Sequence, residues 1–398
     1  MSNDAPTPTG SNVAGSNLER VQTHNRRVVL DAIRRAGTLT RAEVSRRTHL
    51  TAQTVNNIVE ALDASGLLVA GPLRRGGRGQ PSVPYGLNPD GAYALGFHVD
   101  HHAISGAVVD LLGHVRSQDV VEARQPSCAD AAAALAAMAP RLLAKAGVAE
   151  RRVLGAGVAV PIRFGVGPIT SAGPTTLPDW DNTAAARIGT ALDRPVLLEN
   201  DAMAAAIGER MNGLGRDIDS YVYLLLNEGL GGGVMIEGQP WRGAGGNAGE
   251  VGHMIVVPDG RPCPCGNRGC LERYVSMSAL EEHLGRPVLL NAGSDGLSEV
   301  PQAWIDEAGP RLAQAVGILE AAFDPETLIL GGLAPVPLLE RLIEALRLPV
   351  SVGARSHRRW PRIMAARGGP QAVLLGAAAL PIFDLVSPSF GVLLKRTM

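Results

Sequence analysis

The segment that begins at His253 and runs through Cys263-Pro264-Cys265-Gly266-Asn267-Arg268-Gly269-Cys270 constrains this chain more than any other. One imidazole and three thiolates can supply all four tetrahedral N/S ligands of a Zn²⁺ ion if the backbone turns sharply enough to bring Cys265 and Cys270 together. Gly266 and Gly269 permit such turns. With four protein ligands no coordination position is open, so the expected role of the metal is structural and not the activation of water. The plainer alternative is a cluster of buried free thiols. Three of the chain's four cysteines lie within these eight residues, which in a reducing compartment favours metal over disulfides.

The 398 residues, 45% hydrophobic and 4% aromatic with 48 glycines, suit a small module joined to a larger α/β body. No apolar run reaches membrane length, and residues 1–17 are polar and lack the apolar core of a signal peptide. The expectation is a cytoplasmic protein with a disordered tail over 1–18 and no membrane partner. A cut after Asp90 uncovers a charge asymmetry. The first piece holds 11 Arg against 7 Asp and Glu, net +4, and the remainder 26 basic against 31 acidic residues, net −5. A basic module on an acidic body points to a polyanion partner for the first piece only.

That first piece reads as a winged helix-turn-helix over 19–88. Val28, Val29, Ala32, Ile33 and Ala36 have helical spacing, closed by Gly37. Thr40 and Glu43 form a capping-box pattern for a short second helix, and Thr51 caps a third helix over about Ala52–Ala64. Its inward face is Val55, Ile58, Val59 and Leu62, which leaves Gln53, Thr54, Asn56 and Asn57 outside, side chains suited to base edges of double-stranded DNA. A strand at Leu67–Val69, the loop Arg74-Arg75-Gly76-Gly77-Arg78-Gly79-Gln80-Pro81 and a strand around Val83 and Tyr85 make the wing. Arg74, Arg75 and Arg78 are placed to follow phosphates or enter a minor groove. The alternative is a solvated three-helix bundle that binds protein. A single winged helix reads few base pairs, so a homodimer or higher homo-oligomer is expected.

From Ala92 the pattern becomes an α/β alternation. It has strands at Leu95–Val99, Ile104–Asp110 and around Val115, an Ala-rich helix over Ala129–Ala146, and strands at Val153–Val160 and Val196–Leu198. A helix from Ala202 and a hairpin over Val222–Ile236 follow, enough for two sheets. Gly249-Glu250-Val251-Gly252-His253 followed by Cys263-x-Cys265-Gly266-x-x-Gly269-Cys270-x-Glu272 resembles the signature of the ROK family (repressors, open reading frames and kinases), and the resemblance extends over nearly everything from Arg20 onward. It implies, for 92–398, a two-lobed actin/hexokinase-like (ribonuclease H-like) body with a sugar cleft near residue 200. It implies that Asn200, Asp201, Glu250, His253 and Glu272 hold sugar hydroxyls, with Asp201 at the position of the kinases' catalytic base. Asn-Asp at a strand end, taken alone, is more often a helix cap. Pro174-Thr175-Thr176-Leu177-Pro178-Asp179-Trp180 resembles the family's P-N-L-x-x-W loop with Thr in place of Asn.

The nucleotide end departs from the family. Where its kinases carry an Asp-x-Gly-Gly-Thr hairpin for phosphate and Mg²⁺, a gapless alignment puts His98 at the Asp, Asp100 and His101 at the glycines and His102 at the Thr. The second phosphate loop, Asn227-Glu228-Gly229-Leu230-Gly231-Gly232-Gly233, keeps its glycines but has Glu228 in place of Thr; Leu330-Gly331-Gly332-Leu333 resembles the adenosine-side turn. The resulting expectation is a sugar-responsive transcriptional regulator, a repressor sooner than an activator, with a sugar or sugar phosphate as effector, a structural Zn²⁺ and no catalytic residues. The alternatives are a working ATP-dependent sugar kinase that also binds DNA, and a regulator that senses zinc itself.

Overall fold

The structure, a computed structural model, describes residues 18–74, 81–162, 177–288, 300–351 and 358–388. The chain divides into two compact units, one running to Asn88 and including the residues from Asp384, the other Pro89–Phe383. Arg75, Arg78, Pro174, Thr175 and Thr176, singled out above, lie outside the described residues.

The first unit holds α1 (Leu18–Ala36), β1 (Thr38–Thr40), α2 (Arg41–Thr48), α3 (Ala52–Ala64), β2 (Leu68–Ala70) and β3 (Pro84–Leu87). Val29, Leu30 and Ile33 of α1, Val44 of α2 and Val55, Val59 and Leu62 of α3 are fully buried and form its core. The capping box is present in both directions: the Glu43 N–H donates to Thr40 Oγ1 (3.3 Å) and the Thr40 N–H to Glu43 Oε2 (2.7 Å). These bonds to Thr40, backbone first, hold the Glu43 carboxyl below its ordinary value. Thr51 caps α3, which begins and ends where its cap and apolar spacing place it. The strands form an antiparallel sheet in the order β1-β3-β2, and the bridge Arg74↔Ser82 extends the hairpin toward its tip.

The second unit contains two five-stranded sheets with separate cores. In the first, β4 (Tyr93–Val99), β5 (Ala103–Asp110), β6 (Val115–Glu122), β7 (Val153–Val160) and β8 (Val196–Asn200) lie in the order β6-β5-β4-β7-β8, with α4 (Cys128–Ala146) and α5 (Ala184–Leu192) supplying core residues against it. From the end of β8 runs α6 (Asp201–Asn212). The second sheet comprises β9 (Tyr221–Leu226), β10 (Leu230–Ile236), β11 (Gln239–Pro240), β12 (Thr327–Gly332) and β13 (Ile363–Ala365), in the order β11-β10-β9-β12-β13. Both sheets share one plan: an antiparallel hairpin beside parallel strands entered by crossovers. Helices α7 (Met277–Leu284), α8 (Gln302–Phe323) and α9 (Val336–Glu344) fill out the second core around Trp304.

Against the expectation that no apolar run reaches membrane length, α10 (Ala372–Val386), the last described helix, lies in a stretch, Gly369–Val386, long and apolar enough to cross one, but 61% of that stretch is buried inside the protein. Small residues show why. A Cβ on Gly96 of β4 would stand 2.4 Å from Ala378, one on Gly157 of β7 1.9 Å from the Ala377 carbonyl, and one on Gly376 2.1 Å from the Ala204 carbonyl of α6. The helix is therefore a core element, with backbone against backbone on both the first sheet and α6.

Candidate functional site

The His253, Cys263, Cys265 and Cys270 side chains converge, with one ligand atom from each lying within 4.8 Å of all the others. Cys265 Sγ to Cys270 Sγ and Cys263 Sγ to His253 Nδ1 are both 3.6 Å. A tetrahedral ion with Zn–S of about 2.3 Å separates its ligands by roughly 3.8 Å, so both the donor set and its spacing suit Zn²⁺. The turns depend on glycine: Gly266 and Gly269 have φ of +94° and +81°, and a Cβ on Gly269 would fall 1.6 Å from the Val257 carbonyl oxygen. Burial pushes the Cys263 thiol up and the Cys270 thiol up to about 11, so a metal that binds here displaces protons.

The same imidazole also faces a second group. His253 presents Nδ1 to the thiols while its Nε2 stands 3.6 Å from Glu250 Oε2. Ligation through Nδ1 would fix the tautomer and leave an Nε2–H donor beside Glu250. Both residues line a cavity of about 220 Å³, together with Asn200, Asp201 and Glu272. The five residues that the sequence assigned to a sugar thus border one space, reached from β8 and α6 on one side and from the loop after β11 on the other. Gly249 sets the turn before Glu250, with φ +101° and a Cβ position only 2.1 Å from the Gly232 carbonyl oxygen.

Asn200 has a structural task as well. Its Oδ1 accepts from the Ala202 and Met203 N–H groups (2.9 and 3.4 Å), capping α6, and its amide donates to the Ile162 carbonyl (3.1 Å). One amide hydrogen is left for a ligand. Asp201 sits in the first turn of α6, and burial first, then the nearby charges of Asp100 and Glu250, push its carboxyl up to about 7. Trp180 and Leu177 supply apolar wall, and the indole N–H is held by the Pro126 carbonyl (3.1 Å).

Sequence reasoning missed a support beneath this wall. Glu199, 5% exposed, accepts from the Asn200 N–H through Oε1 and from Arg242 through Oε2 (2.6 and 2.9 Å), tying the end of β8 to the chain that leads to Glu250. A carboxylate among the apolar residues of β8 was the available signal.

At the other end of the cavity lie Asp100 and His101 from the β4–β5 turn and Asn227, Glu228 and Gly229 from the β9–β10 turn. His101 is buried, at 7% exposed, and burial lowers the pKa of His98, favouring its neutral form. His102 points outward, and its Nε2 lies 3.0 Å from Glu228 Oε1.

In the first unit Gln53 and Asn57 are exposed and Thr54 and Asn56 half-buried on α3; the Gln53 amide donates to Asn57 Oδ1 (2.9 Å). Arg74 donates to Thr38 Oγ1 (2.6 Å) and lies 3.6 Å from Glu43, so it is held against the α2 cap at the root of the wing. Arg46 and Arg47, which the sequence reading passed over, are exposed in the last turn of α2 beside the α2–α3 turn. Their position before a turn and a fresh cap was the signal.

Comparison with known proteins agrees with this geometry. Residues 95–382 match the ROK family and residues 23–79 the MarR family. A xylose repressor of Caldicellulosiruptor bescii is 26% identical over 391 residues, covering 91% of this chain and 96% of that protein. A glucokinase of Thermotoga maritima is 31% identical over 219 residues, 54% of this chain and 64% of that enzyme. Among solved structures, a ROK family transcriptional regulator described as a homologue of the E. coli MLC protein superposes with a TM-score of 0.71 at 24% identity, covering 92% of this chain and 98% of the other, and so shares its fold.

Proposed function

As this chain belongs to the ROK family, with an N-terminal winged helix ahead of an actin/hexokinase-like body, we propose that it is a sugar-responsive repressor of carbohydrate uptake or catabolism genes that does not phosphorylate its effector. In this reading residues 19–88 bind operator DNA: Gln53, Thr54, Asn56 and Asn57 face base edges, and Arg74, Arg75 and Arg78 follow the backbone. Residues 92–398 bind the effector through Asn200, Asp201, Glu250, His253 and Glu272. A structural Zn²⁺ on His253, Cys263, Cys265 and Cys270 fixes the loop that carries three of these groups, Glu250, His253 and Glu272. A dimer presents two winged helices to paired half-sites, and effector binding shifts their spacing by favouring one lobe arrangement, a coupling of about 1–3 kcal/mol.

One observation carries this reading. A winged helix with hydrogen-bonding side chains turned out from α3 is joined to a cleft lined by Asp100, His101 and Glu228 at the end where the family resemblance puts the kinases' phosphates. The test is fluorescence anisotropy on DNA from upstream of the protein's own gene, titrated with common monosaccharides and their 6-phosphates, beside a coupled assay for ATP turnover. Operator binding that a sugar weakens, without turnover, is the expected result; sugar-dependent ATP turnover would replace the reading with a DNA-binding kinase. That second reading has one observation in its favour: a carboxyl held near 7, as Asp201 is, suits a general base.

A further inference from the structure

The cavity of the proposed effector site is lined by five carboxylates, Asp100, Asp201, Glu228, Glu250 and Glu272, and by no Lys or Arg among the described residues. Asp100 and Glu228 stand where relatives that handle nucleotides need glycine and a hydroxyl, and they close one end of the cavity from two different lobes. Resting on the effector reading above, we propose that this end is an amine-binding subsite, and that the effector is a polyol bearing a protonated amino group, not a sugar phosphate.

The argument starts from charge. Five carboxylates around so small a space repel one another, and the structure relieves this in two places: Asp201 is pushed toward its protonated form, and Glu228 leans on the His102 imidazole at 3.0 Å. A phosphate would add two further negative charges with no Lys or Arg among the described lining residues to receive them. A neutral polyol fits the acceptors but leaves the charge where it was. An ammonium group supplies three N–H donors and a positive charge between Asp100 and Glu228. His101 gives an independent indication. It lines this wall of the cavity, is 7% exposed, and its buried Nδ1 has no hydrogen-bond partner among the described residues.

The experiment is isothermal titration of the zinc-loaded full chain with glucose, galactose and mannose, with the 2-amino and 6-amino counterpart of each, and with glucose 6-phosphate. It is repeated on Asp100→Asn and Glu228→Gln. At least one amino sugar should bind about tenfold more tightly than its neutral parent, the phosphate should bind less tightly than glucose, and the ratio of amine to parent should fall toward one in both variants. The inference is overturned if no amine exceeds its parent, or if the advantage survives both substitutions. Neutral sugars that bind and release DNA while amines gain nothing would sink this inference alone. If no sugar of either kind binds and operator affinity is indifferent to all of them, the effector reading falls with it.

Discussion

The two turns that meet at one end of the cavity differ in what they carry. The β4–β5 turn carries Asp100, His101 and His102, while the β9–β10 segment retains Gly229, Gly231, Gly232 and Gly233. Packing accounts for the difference. A Cβ on Gly231 would lie 2.9 Å from Ala202, on Gly232 2.7 Å from the Gly249 carbonyl and on Gly233 2.6 Å from the Ala202 carbonyl, so these glycines let β10 press against the start of α6 and the Glu250 turn. The adenosine-side turn is similar, for Gly331 and Gly332 lie against Tyr223 and the Leu226 carbonyl. Close packing alone is a sufficient reason for glycine at these positions. In the β4–β5 turn, by contrast, Asp100 is half-buried, His101 buried and His102 exposed.

The largest expected effect separates the turns through the metal loop. Gly252 lies against the Leu230 carbonyl, and the Met277 and Ser278 N–H groups donate to the Asn227 and Glu228 carbonyls (2.9 and 3.1 Å), so the loop and its downstream chain brace the β9–β10 turn. Stripping the metal, or Cys270→Ser, should cost on the order of 5 kcal/mol. By hydrogen exchange, protection should fall at 227–230 and 253–272 and hold across 103–110. Equal loss in both hairpins would show that the metal supports the whole body and not one turn.

Next in size is Gly233→Val. The branched side chain has backbone on one side and Ala206 on the other, and overpacking of this kind costs about 3 kcal/mol. Asp100→Gly and His102→Gly, at a half-buried and an exposed position, should each stay within about 1 kcal/mol in denaturant midpoints. If the glycine insertions proved as costly as Gly233→Val, the packing account of the difference would be wrong.

What the sequence disclosed follows the same division. The caps at Thr40 and Thr51 located α2 and α3, and the apolar runs located β7 and the two hairpins, because these signals are local. The His253 and cysteine cluster was legible since its ligands lie close in sequence and its glycines are needed for the turns. Long-range facts were not. The Asn-Asp pair at a strand end did suggest a helix cap, as Asn200 proves to be, but nothing near it says that its amide holds Ile162, and nothing near Glu199 names Arg242 as its partner 43 positions away. The run His98-Val99-Asp100-His101-His102 does not disclose that burial acts on His98 and His101 while His102 faces outward. Nor could spacing distinguish a glycine kept for phosphate from one kept for a helix.

The electrostatic side of the comparison is sharpened by Asp201. Its folded pKa of about 7 exceeds the unfolded value of about 3.9, so the native state holds a proton that the unfolded chain has released between those values. Stability from this group is therefore present below pH about 4 and declines as pH rises through 7. With cavity water moderating the penalty, Asp201→Asn should gain about 1–2 kcal/mol over wild type above pH 7 and little below pH 4. Asp100→Asn should lower the Asp201 pKa by removing a repelling charge, which ¹³C carboxyl titration would read directly. An unchanged titration would mean that the β4–β5 turn does not act on α6 as its position implies.

The smallest effect tests whether the two turns are linked at all. His102 and Glu228 are 3.0 Å apart, but their side chains are 72% and 44% exposed, so solvent screens the pair and its two side chains retain freedom to part. A double-mutant cycle with His102→Ala and Glu228→Ala should give a coupling of about 0.2–1 kcal/mol at low salt, falling as salt rises. A coupling that persisted at high salt would mark the two turns as a fixed joint across the cleft. One indistinguishable from zero would leave them independent, each free to move when the lobes close on an effector.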